Sequence, residues 1–119
     1  MTIESDVHAA IATVCPRVHT VLAPPRTARP YVTVQNIGGL VNYYVDNVAA
    51  DNRTARIYVK SWASSKADAL AIGLQIEAAM VAATVFVASV ESELLDDVET
   101  DVEPWLFSVL QEFLVTGPR

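Results

Sequence analysis

Arg53-Thr54-Ala55-Arg56-Ile57-Tyr58-Val59-Lys60-Ser61-Trp62 runs through Ala63-Ser64-Ser65 into Lys66-Ala67-Asp68-Ala69-Leu70-Ala71-Ile72-Gly73-Leu74-Gln75-Ile76-Glu77-Ala78-Ala79-Met80-Val81-Ala82-Ala83. In the first part Ala55, Ile57 and Val59 alternate with Arg56, Tyr58, Lys60 and Trp62, the period of a strand with one face in a core and a cationic, aromatic face outward. In the second part the period changes to that of a helix. Ser65 followed by Asp68 has the spacing of a capping box, which satisfies amides that the first helical turn leaves without partners. At 100° per residue, Ala67, Leu70, Ala71, Leu74, Ala78 and Val81 make one apolar stripe, and Ala69, Ile72, Ile76, Ala79, Met80 and Ala83 make another. A helix apolar on two faces needs two covers. The chain's own sheet is one; the other is either an N-terminal helix or a neighbouring subunit.

The flanking segments extend this reading to an α+β domain. Ile3, Val7, Ala10, Ile11 and Val14 recur at helical spacing, with Glu4 and Asp6 near the positive end of the helix, and the helix ends near Cys15-Pro16. Val18 to Leu22 is a short apolar segment, followed by a proline loop through Pro24-Pro25 to Arg29. Tyr31 to Ile37 is a β-branched strand closed by a turn at Gly38-Gly39, and Val41 to Val45 reads as its partner strand. Asp46 to Asn52 reads as a projecting loop, and Val85 to Val90 as a strand. Glu91 to Glu103 gathers seven carboxylates with no basic residue and reads as a solvated loop or hairpin tip. Trp105 to Val115 fits helix and strand equally by pattern: Leu106, Leu110, Phe113 and Leu114 have helical spacing, while Phe107, Val109, Phe113 and Val115 alternate. The expected fold is a mostly antiparallel β-sheet packed on one face by two α-helices, the N-terminal one and a central one at about 65–83, in a single domain spanning 1–119.

Composition narrows the function. The chain has 119 residues, 52% of them hydrophobic and 18% charged, more apolar and less charged than a typical globular domain. Part of its apolar surface is therefore expected to meet another subunit. The net charge of −6 is unevenly spread. Residues 1–66 hold seven basic and four acidic side chains, and the remainder holds Arg119 against ten acidic ones. A bipolar chain suits head-to-tail association. No basic cluster with interleaved aromatics points to sequence-specific nucleic-acid binding, and no apolar run reaches membrane-spanning length. The N-terminus does not read as a secretory signal, so synthesis in the cytoplasm is expected.

No catalytic or metal constellation emerges. Cys15 and His19 are four apart, but Pro16 breaks the helix that would bring them together, and nothing orients the pair. His8 has no second His or Cys at ligand spacing. Asp96, Asp97, Glu99 and Asp101 lack the spacing and glycine of a calcium loop. Ile37-Gly38-Gly39-Leu40 lacks the lysine of a phosphate loop. Neither an enzyme activity nor a cofactor or metal is expected.

Several stretches, taken in order, resemble the tail-completion, or tail-terminator, family of tailed bacteriophages and prophages. They are the opening helix Ile3 to Ala10; Val18 through Ala23-Pro24 followed by Arg29-Pro30-Tyr31-Val32; Arg53 to Trp62-Ala63 with Lys66-Ala67-Asp68-Ala69-Leu70-Ala71; and the closing Gln111-Glu112-Phe113-Leu114-Val115. Leu114, where a polar residue is commoner, and the charge of Asp96 to Glu103 depart from the family's pattern. The resemblance implies that the last segment is a strand. It also implies a structural virion protein, made in the host cytoplasm, that forms a hexameric ring at the head-proximal end of the tail. Such a ring caps the major tail-tube protein, stops tail polymerisation and offers a head–tail joining surface to the connector or stopper, while DNA passes through its lumen. Another neck component, such as a head-completion stopper, and a small ligand-binding α+β domain are the alternatives. The interface residues expected under the ring reading are Ile72, Ile76 and Met80 on the helix, Arg56 and Lys60 on the strand, and Asp96, Asp97, Glu99 and Asp101 in the acidic segment.

Overall fold

The computed structural model describes residues 3–21, 23–24, 27–43, 49–90, 95–101 and 104–118. Two helices and six strands follow in the order α1 (Ile3–Ala12), β1 (Val18–Thr20), β2 (Tyr31–Tyr43), β3 (Ala49–Ala63), α2 (Lys66–Ala82), β4 (Val87–Val90), β5 (Leu95–Glu99) and β6 (Leu106–Pro118). The strands form one sheet in the order β1-β2-β3-β6-β4, with β5 also paired to β6. Only the β1–β2 pair is parallel among these; the other pairs are antiparallel. β4 and β5 lie end to end along one edge of β6, against residues 113–116 and 106–110 respectively.

Strand alternation sets what each face of this sheet carries. Val32 and Val34 of β2, Ala55, Ile57 and Val59 of β3, and Phe113 and Val115 of β6 point to one side. There they are buried with Ile3, Val7 and Ile11 of α1 and Ile76 and Met80 of α2. Both helices therefore lie on the same face, as expected. Ser65 caps α2 as the sequence indicates, its hydroxyl accepting a hydrogen bond from the Asp68 amide at 3.2 Å. Gly117 allows a close approach at the end of β6: a β-carbon there would sit 3.2 Å from Phe86 Cβ and 3.3 Å from Ile3 Cγ1. Polar side chains also enter the interior, among them Asp6, Ser61 and Gln111, whose Nε2 donates to the Gly73 carbonyl of α2 at 2.8 Å.

Three local expectations are corrected. The chain does not turn back at Gly38-Gly39; β2 continues to Tyr43 and pairs with β3 as far as Tyr43↔Ala49. Gly38 takes φ 110° within a register shift between Asn36 and Gly39, and the Asn36 side chain accepts from the Gly38 amide at 2.9 Å. The glycine thus serves a bulge that keeps the strand going, where only a residue without a β-carbon is unstrained. The projecting loop shrinks accordingly, because residues 49–52 belong to β3; residues 44–48 lie outside those described. The acidic segment is no solvated loop over Leu95–Glu99, which is a strand paired residue for residue with β6. Backbone pairing over five residue pairs outweighs local charge when the carboxylates can face water at an edge; Glu91, Glu93 and Glu103 lie outside the described residues. The last segment, open by pattern, is the strand β6, which pairs with β3 along Ala63↔Phe107 to Asn52↔Pro118.

Candidate functional site

Outside the core, and besides the exposed Val85, Val87 and Val90 at and before β4, two surfaces on opposite sides of the molecule carry apolar or aromatic side chains without a cover among the described residues. The first is the outward side of α2. Its inward face consists of Ala69, Gly73, Ile76 and Met80, all buried. Ala67, Ala71 and Ala78 are exposed, and Leu74 and Val81 keep 50% and 61% of their surface. Both covers of the inward side belong to this chain: the sheet and α1. Ile76 and Met80, expected at a subunit interface, have no exposed surface left, which corrects that expectation. Ile76 and Met80 fill the space under the helix, and the stripe with Leu74 and Val81 is left outside. Ile72 is half-buried against the same core and lines a cavity of about 350 Å³ with Arg29, Pro30, Ala63, Ser64, Asp68 and Ala71.

The second surface is the sheet face turned away from both helices. A groove of about 500 Å³ crosses it, floored by Tyr31, Thr33 and Gln35 of β2, Tyr58, Lys60 and Trp62 of β3 and Leu110 of β6. Val21 and Ala23 stand on one side, and Glu99 of β5 on the other. These residues share a face because Tyr31 is paired with Trp62, Thr33 with Lys60 and Gln35 with Tyr58. Tyr31 and Trp62 stack with centroids 5.8 Å apart and planes 16° from parallel. The Lys60 ammonium sits 4.5 Å from the Trp62 ring centre, and Trp62 Nε1 donates to Thr33 Oγ1 at 3.2 Å. Arg56, on the same face, meets Glu112 at 3.3 Å. Burial of Tyr31 raises its phenol pKa above 10.0; the Glu99 carboxylate adds to the rise, and Arg29 opposes it.

Val21 is the strained point of this wall. It holds φ 66° while its amide donates to the Val34 carbonyl at 2.8 Å, and its side chain remains 58% exposed. A β-branched residue in the left-handed region costs about 1–3 kcal/mol, here to present an isopropyl group to solvent beside the groove. The Arg29-Pro30-Tyr31 motif shapes the same region. Arg29 donates to the carbonyls of Pro104 at 2.8 Å and Trp105 at 3.2 Å, and Arg17 Nε donates to the Pro30 carbonyl at 2.9 Å. The Arg29–Pro30 bond is cis. The two Arg29 hydrogen bonds tie the start of β2 to the residues just before β6.

The remaining sequence-expected residues divide between the outer sheet face and the β5 edge. Arg56 and Lys60 fall on the outer sheet face, and Glu99 reaches the same groove as Lys60. Asp96, Asp97, Glu99 and Asp101 are exposed along and just after the β5 edge, Asp96 pairing with Lys66 at 2.8 Å. Tyr31, Val21 and Leu110 were not singled out from sequence, since a groove formed across three strands has no local signature. Elsewhere His8 reaches the Val18 carbonyl at 3.3 Å, and Cys15 is buried near the Pro30 carbonyl. Among the described residues no group of three potential metal ligands gathers, and no described helix is long and apolar enough to cross a membrane.

No curated protein matches the chain significantly. A family model described as "Tail completion protein gp17" matches residues 4–114, which takes in both helices, five complete strands and most of β6. The chain therefore belongs to the phage tail-completion family, and its role is that of a structural component that completes the tail.

Proposed function

We propose that the protein forms a hexameric ring on the last layer of tail-tube protein, stops tube growth there and presents a joining surface to the head connector. The observation that carries this is the extent of the family match, residues 4–114, which spans nearly the whole of the sequence. The surface supports it. A monomer of 12.9 kDa exposes about 6,300 Å², whereas this chain exposes 7022 Å² and stretches over 56 Å against 25 and 23 Å in the other directions. The excess is what a subunit with contacts still to make would show. In such a ring the exposed carboxylates Asp96, Asp97, Glu99 and Asp101 border the lumen and let DNA pass by repelling its phosphates. The role is mechanical and needs no catalysis.

The test is to add the purified protein to polymerising tail-tube protein and follow tube length by electron microscopy. Capping predicts tubes of arrested length with additional density at one end. Unchanged growth together with binding to a portal-side adaptor would assign the protein to the stopper position instead.

A further inference from the structure

We infer that the subunits associate head to tail, the outward stripe of α2 on one copy seating in the outer-sheet groove of the next; this rests on the ring reading and names its interface. The first argument is geometric. The stripe (Ala67, Ala71, Leu74, Ala78, Val81) and the groove (Tyr31, Tyr58, Lys60, Trp62, Leu110) lie on opposite outer faces of one two-layer body. A symmetric contact uses one patch twice and leaves the other uncovered, whereas a heterologous contact covers both at once and repeats, which is how rings are generated.

Shape and charge point the same way. With Leu70 packed partly inward, three of the other five stripe residues are alanines, so a helix can approach a sheet closely, with Leu74 and Val81 as the projecting groups. The groove offers aromatic faces and Leu110 to receive them, and Val21 extends its apolar wall. The stripe is flanked by Asp68 and Glu77, neither in an ion pair among the described residues. On the groove floor the Lys60 ammonium has an aromatic ring as its partner and no carboxylate within pairing distance among those residues. Glu112 on this face is already paired with Arg56 and Glu99 stands on the groove's rim, so Lys60 on the floor is the cation that the carboxylates Asp68 and Glu77 complement in sign.

The area fixes the strength. From Ala67 to Val81 the helix runs about 22 Å and is 10–12 Å across, so the stripe covers roughly 240 Å². One side of a stable protein–protein interface buries about 800 Å². A single contact is thus weak, and a ring that gives each subunit two of them, or a tube end that holds subunits in place, is needed for persistence.

Cysteine trapping detects weak contacts. Leu74→Cys and Tyr58→Cys are made singly and together, with circular dichroism checking the fold, and treated with a short bismaleimide; buried Cys15 does not compete. The double variant is expected to give a ladder of oligomers. A mixture of the two single variants gives dimers only, and each single variant alone stays monomeric. Val81→Glu in the double variant abolishes the ladder. Dimers from Leu74→Cys alone would overturn the inference in favour of a symmetric helix contact. Wild-type rings by sedimentation or on tail tubes, with no cross-link between positions 58 and 74, would overturn it while leaving the ring intact. No wild-type assembly in solution or on tubes, with no cross-link, would overturn both.

Discussion

Replacing Ile76 and Leu74 by alanine, one at a time, measures which stripe of α2 holds the fold together. Ile76 is fully buried between the sheet and α1, so Ile76→Ala loses its transfer free energy and leaves a cavity that packed neighbours fill only in part. Such changes cost about 2–5 kcal/mol. Leu74 keeps half of its surface in water; its truncation opens no cavity and forfeits about half of a full leucine burial, about 1 kcal/mol. The higher helix propensity of alanine returns only a few tenths of a kcal/mol in either case. For 119 residues, an unfolding entropy of roughly 2 cal/mol/K per residue makes each kcal/mol worth about 4 °C in melting temperature. Ile76→Ala should therefore lower the midpoint by about 8–20 °C and Leu74→Ala by about 4 °C or less. Thermal circular dichroism on dilute samples, with urea melts to check that m is unchanged, provides the comparison. Equal losses, or a larger loss for Leu74→Ala in a monomeric sample, would refute this orientation of the helix and with it the surface offered for assembly.

Ser65→Ala removes the cap on the Asp68 amide and should cost about 1 kcal/mol, a shift of about 4 °C. Gly117→Val would drive its methyls into Phe86 and Ile3, since even a β-carbon sits 3.2 and 3.3 Å from them; a loss of about 1–3 kcal/mol is expected in chemical denaturation. Lys66→Ala, which breaks the exposed pair with Asp96, should change stability by no more than about 1 kcal/mol, and high salt should erase the difference. Because the Tyr31 phenol is raised above 10.0 in the folded chain, the native state holds its proton where the unfolded state has lost it. Its contribution to stability is complete below pH 10.0 and is lost as pH climbs through the folded value. A Tyr31→Phe variant should show a flatter stability profile above pH 10.0 than the parent; identical profiles would remove Tyr31 as the source.

Much of this fold is written in local patterns. The alternation of Ala55, Ile57 and Val59 with Arg56, Tyr58 and Lys60 gave a strand with a core face and a cationic, aromatic face, and the outer groove lies on the latter. Ser65 and Asp68 marked the start of α2 because capping depends on residues three apart. Ile3, Val7 and Ile11 marked the buried side of α1 in the same way. The order of these segments also carried the family resemblance, which the match over residues 4–114 bears out.

Other features depended on neighbours far along the chain. Leu95–Glu99 looks like a loop by its charge and becomes a strand because β6 offers it a free edge. Gly38-Gly39 looks like a reversal and becomes a bulge because β3 continues alongside β2. The sequence alone determined that α2 has two apolar stripes and must be covered, by periodicity. Which stripe turns inward was decided only in the tertiary structure. The two stripes are nearly balanced along the helix, and packing between the sheet and α1 buries Ile76 and Met80 while Leu74 and Val81 stay largely exposed, because the contacts that choose between them come from α1 and the sheet, far away in the sequence.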